Sequence, residues 1–146
     1  MRWPNRHPHR LTDGMRRAQK ALADFVGFID WARFRRTNLN EEVAVSSPDL
    51  HVFACGDRTQ ALVWLLRRDV LTATGMIDGS AARIASRVGV PGLAPGRHEI
   101  TPWDTAAGAA GARITAEATG AGLVFQTPPF AADLAFAIRS AGQSSI

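Results

Sequence analysis

The apolar residues of this chain change period once, near Asn40, and that change limits what the chain can fold into. Before it, Met15, Ala18, Leu22, Phe25, Val26 and Ile29 recur at the three- and four-residue spacing of one helix face. Thr12 or Asp13 can cap a helix that runs to about Phe28, with Gly27 a weak point near its end. Arg16, Arg17, Lys20 and Asp24 lie mostly off the apolar face. Residues 29–34 predict a further helical turn, and 35–40 a polar linker. After Asn40 the period is two, the mark of half-buried strands.

The expected strands are 42–46, 51–54, 60–67, 82–90, 97–103, 112–118, 123–126 and 134–138. Turn residues separate them: Ser47-Pro48-Asp49, Gly56-Asp57-Arg58, Asp78-Gly79-Ser80, the stretch from Gly92 to Gly96, Gly108 to Gly111 as a flexible loop, and Gly120-Ala121-Gly122. The run Gln60-Ala61-Leu62-Val63-Trp64-Leu65-Leu66 is apolar on both faces. It predicts a central strand with Trp64 in the core, covered on one side by an opposing sheet and on the other by the helix. Short strands at this spacing point to a sandwich or barrel rather than a parallel α/β sheet. The expected fold is mainly β: an antiparallel immunoglobulin-like β-sandwich of about seven or eight strands, preceded by one N-terminal amphipathic helix. The chain divides into a flexible basic arm (1–10), helix and linker (11–40), sandwich (41–140) and a flexible tail (141–146).

With 146 residues, 46% hydrophobic and 21% charged, the chain is ordinary for one globular domain. No apolar run approaches a membrane span. The basic start has no apolar segment behind it, so it does not read as a secretory signal; as it stands the chain reads as cytoplasmic, with a secreted parent enzyme left open and localisation unknown. The positive charge sits in residues 1–40, with nine basic against three acidic side chains; the rest holds eight against ten. Cys55 is alone and is expected to pack as a small hydrophobe.

Few constellations carry chemistry. Glu41 and Glu42 are adjacent and point to opposite strand faces, and Asp104 suits a local turn bond, so no catalytic carboxylate pair is assigned. His7-Pro8-His9 lacks further ligands at metal spacing. His98 alternates with Ile100 and reads as a half-buried structural histidine. No serine sits in a nucleophile elbow and no glycine stretch forms a phosphate loop. Trp3 in the basic arm has no nucleic-acid-binding fold behind it. No metal, cofactor, membrane or nucleic-acid partner is expected. Trp103 shares a strand face with Thr101 and Glu99, which makes Trp103 and Glu99 the candidate sugar platform. Phe28, Trp31 and Phe34 are more aromatic area than one small sheet should bury, and are the candidate partner interface.

Several of these segments resemble one family. The aromatic stretch Ile29-Asp30-Trp31-Ala32-Arg33-Phe34 before a strand is similar to the exit from the last barrel helix of a cellulase- or mannanase-like glycoside hydrolase. Gly56-Asp57-Arg58-Thr59-Gln60-Ala61-Leu62-Val63-Trp64-Leu65 resembles a hairpin of the sandwich that follows such barrels. Arg97-His98-Glu99-Ile100 leading to Trp103-Asp104-Thr105, with Gly108 beyond, resembles its aromatic–acid–Thr turn, and the stretch from Phe125 to Ile138 its closing hairpin. The resemblance covers about Leu11 to Arg139. A barrel needs about 250 residues, and no position here matches the family's catalytic carboxylates. The resemblance thus implies a non-catalytic accessory sandwich whose partner is a catalytic barrel, or another copy through self-association. A stand-alone carbohydrate-binding module with a polysaccharide partner is the alternative, and an independent glycosidase a third.

Overall fold

The computed structural model describes residues 11–142. The basic arm, with Trp3, His7 and His9, and the last four residues of the tail lie outside the described residues. Thr12 caps α1 (Asp13–Val26): its Oγ1 accepts from the Met15 N–H at 3.2 Å. The helix ends at Val26, two residues before Phe28, with Gly27 as its C-cap. Residues 30–34 then make one turn, with the Phe34 N–H donating to the Asp30 carbonyl.

Among the described residues ten strands follow: β1 (Thr37–Asn38), β2 (Ala44–Val45), β3 (Leu50–Gly56), β4 (Gln60–Arg67), β5 (Arg87–Val90), β6 (Gly96–Asp104), β7 (Ala109–Ala110), β8 (Ile114–Thr119), β9 (Gly122–Gln126) and β10 (Asp133–Ser140). Every pairing is antiparallel. The order is β1-β3-β4-β10-β6-β8-β9-β5-β2, with β7 bonded to β6. In place of two separate sheets, one hydrogen-bonded sheet curls into a half-barrel. Phe125 of β9 and Phe136 of β10 demonstrate the curl. Two strands separate them in the sheet, which is roughly 14 Å when flat at about 4.8 Å per strand. Their ring centroids are 5.1 Å apart.

The two faces bury different things. The concave face holds the main core, including Val63, Leu65, Val88, Val90, Ile100, Leu123, Phe136 and Ile138. The convex face carries a small second core of Ile29, Phe34 and Ala137, with Phe25, Phe28, Cys55 and Leu62 packed against it. Phe34 is therefore buried, against the expectation of an exposed aromatic, because the turn at 30–34 folds it down onto β10. Gln60 fixes that turn. Its Oε1 accepts from the Asp30 N–H at 2.7 Å and its Nε2 donates to the Asp30 carbonyl at 3.2 Å.

Arg67 organises the far end of β4. Its buried guanidinium makes a bidentate pair with Asp69 (3.0 and 2.7 Å) and donates to the carbonyls of Ala82 and Ala131. This ties the long excursion between β4 and β5 to the loop before β10. The expected strand at 82–90 is correspondingly shorter: Ile84 makes only a bridge to Phe130 before β5 begins. The expected loop at 108–111 contains β7.

Candidate functional site

Register places Phe53, Trp64, Ala135 and Trp103 side by side across β3, β4, β10 and β6 on the convex face. What covers this row decides what each ring can do. Helix α1 comes close to the sheet near Gly108, where φ is +64° and an added Cβ would lie 2.8 Å from the Ala21 Cβ. The helix meets the sheet through Ala21 and Phe25, in its second half. None of its residues is fully buried, and Met15 and Leu22 are 51% and 63% exposed.

Trp103 lies under that second half. Phe25 and Phe28 pack on it at centroid distances of 5.6 and 6.0 Å, leaving it 6% exposed. It is not the open platform that its alternation with Thr101 and Glu99 suggests, because the helix occupies that face. Glu99 is four residues along the same strand, roughly 13 Å away at about 3.3 Å per residue, and pairs with Arg113 at 3.2 Å. The two do not form one site. Trp64 is the reverse case. Expected in the core, it is 38% exposed, because its side chain points to the convex face where the helix has lifted away.

Trp64 is nonetheless held. It stacks on Phe53 at 5.0 Å, and its Nε1–H donates to Asp133 Oδ2 at 2.9 Å. The Thr105 hydroxyl lies 2.7 Å from both oxygens of the same carboxylate. Between helix and sheet this leaves a groove of about 390 Å³, walled by Ala18, Leu22 and Phe25 and floored by Trp64, Ala135 and Trp103. At Thr105 and Asp133 it meets a second, more polar cavity of about 510 Å³ that also takes in Arg83 and Asp104. Asp104 itself accepts from the N–H groups of Ala106 and Ala107, the local turn bond expected of it.

The candidate partner residues separate. Phe28 is half-buried on Trp103, and Phe34 is buried edge-on to Trp31. Trp31 alone of the three is open, at 44%, with its Nε1–H donating to the Val26 carbonyl and the Arg36 guanidinium 6.0 Å from its ring.

The remaining reactive groups have structural surroundings. His98 is fully buried rather than half-buried, its Nδ1 3.0 Å from the Gly96 carbonyl and its Nε2 3.3 Å from the Ser140 hydroxyl. Burial pushes the Cys55 thiol above its ordinary value, against a smaller opposing pull from Arg36, so it stays neutral under the second core. Among the described residues no group of His, Cys, Asp and Glu is arranged to hold a metal ion. Neither Trp64 as an exposed ring nor Asp133 and Thr105 as its partners was singled out by sequence. Trp64 and Asp133 are 69 residues apart, and only the β4–β10 pairing joins them. The chain matches no protein-family model and no curated protein.

Proposed function

We propose that this chain is a non-catalytic accessory β-domain of a cellulase- or mannanase-like glycoside hydrolase. The observation that supports this is the uncovered apolar stripe of α1. Met15 and Leu22 stand in solvent at helical spacing, while Phe25, one turn beyond Leu22, packs beneath the helix. An amphipathic helix exposing apolar residues of this size is shaped to be covered by another body. In the resemblance, that body is the catalytic barrel. The immunoglobulin-like sandwich of that family is compatible with the half-barrel, whose curl brings strands from distant positions face to face.

Two experiments test the reading. The genomic DNA around the coding segment is expected to encode a (β/α)8 barrel in frame or beside it; its absence counts against the assignment. Incubation of the pure chain with aryl glycosides is expected to release no phenol, and turnover above buffer refutes the non-catalytic claim.

A second reading, a carbohydrate-binding module acting alone, is favoured by one observation: Trp64 presents an exposed indole held in place from its edge.

A further inference from the structure

We propose that the groove under α1 is a saccharide-binding site, with Trp64 as its platform and Asp133 as its hydroxyl acceptor. The ring and the carboxylate come as a unit. The indole Nε1–H is committed to Asp133 Oδ2 at 2.9 Å, and Phe53 backs the ring at 5.0 Å, so the platform cannot turn freely. Stacking costs least when the aromatic partner is already ordered, since no rotamer entropy is lost on binding. Asp133 accepts from two protein donors, Trp64 and Thr105, whereas a carboxylate has about four acceptor positions. It therefore keeps capacity at the rim of the ring.

This pairing selects the chemistry of the occupant. A pyranose has an apolar face of C–H groups and a rim of hydroxyls in the plane of the ring. A sugar laid on Trp64 brings its rim to Asp133, and its next unit to the polar cavity where Arg83 and Asp104 offer a donor and an acceptor. The groove volume of about 390 Å³ falls within the range of small-ligand sites. A purely apolar ligand would leave this carboxylate without use, and a phosphorylated one would meet two carboxylates against one guanidinium. A short stretch of neutral polysaccharide fits both halves. The inference rests on the accessory-domain reading only for its choice of probes.

Affinity electrophoresis of the full chain in gels containing mannan, hydroxyethyl cellulose or xylan tests it, with chemical-shift titration by the matching oligosaccharides. Retardation by at least one polysaccharide is expected. Trp64→Ala should weaken it by up to about tenfold, the size of one lost aromatic contact, and Asp133→Asn should weaken it less. Ala18→Trp fills the groove from an exposed helix position without touching the core, and should abolish binding even if Trp64→Ala fails to fold. Val124→Ala, on the remote strand β9, should leave it unchanged. No retardation and no shift changes at millimolar oligosaccharide overturn the proposal, as does binding that survives Ala18→Trp. Either failure leaves the non-catalytic reading standing. Hydrolysis of an aryl glycoside overturns that reading without bearing on the groove.

Discussion

Gln60 and Asp57 show how single side chains hold the segment between helix and sheet. Gln60 is fully buried and bonds both backbone polar groups of Asp30; the Asp30 carbonyl keeps the Arg33 and Phe34 N–H groups without it, so Gln60→Leu keeps the volume but orphans the Asp30 N–H. Buried groups left without partners cost about 1–3 kcal/mol each. Gln60→Leu is expected to lower stability by about 1–3 kcal/mol in urea unfolding, while Gln60→Glu keeps an acceptor for the Asp30 N–H. Asp57 accepts from the N–H groups of Arg35, Thr59 and Gln60 and from the Thr59 hydroxyl. Burial alone would raise its pKa, but these donors outweigh burial and hold it below the ordinary carboxylate value. A carboxyl depressed in the folded state stabilises above its unfolded pKa, about 3.9 for aspartate, and that contribution is lost as pH falls through the folded value. Stability should therefore fall below about pH 4, and Asp57→Ala should flatten that part of the profile. An unchanged acid limb in urea melts of the variant would refute this role.

At the scale of elements, α1 and the sheet should behave as separable units. The helix buries none of its residues fully and leans on the sheet through Phe25 and the neighbourhood of Gly108. Thr12→Ala removes a cap worth about 1 kcal/mol to the helix. Hydrogen exchange in α1 should quicken by about fivefold for 1 kcal/mol, while amides of β4 and β10 keep their protection. Equal loss of protection in helix and sheet would mean that α1 unfolds only with the core. The sheet, by contrast, has its central strands bonded on both sides. β10 pairs with β4 along seven residues and with β6 along six, and it carries Phe136 and Ile138 into the core.

For the whole molecule, the convex face leaves Met15, Leu22, Trp31, Phe53 and Trp64 in solvent. Apolar side chains of this number, spread over one side, favour association. The isolated chain is expected to sediment faster as its concentration rises. Met15→Lys together with Leu22→Lys should return it to a monomer, both positions being exposed helix sites where lysine is tolerated. A single monomeric boundary at high concentration for the unaltered chain would dismiss the patch as an association surface.

Local order was legible in the sequence. The Thr12 cap and the apolar period marked α1 to within two residues of its end, and β4 falls on the expected span of 60–67. Alternation in the core strands likewise separated their two faces. It could not say which face a distant segment would cover. Trp64 and Trp103 lie in one cross-strand row, yet one is open and the other sealed, because Phe25 and Phe28 pack on Trp103 while a groove separates α1 from Trp64. The two-residue strands β1 and β7 carry no period at all, and only their partners β3 and β6 define them. Whether the strands make two sheets or one curled sheet likewise depends on long-range pairing, above all β10 between β4 and β6. Side-chain period is a property of neighbours along the chain. Coverage and sheet closure, and with them the groove at Trp64 and Asp133, are set by contacts between segments dozens of residues apart, whose loop-closure cost and packing gain no local pattern encodes.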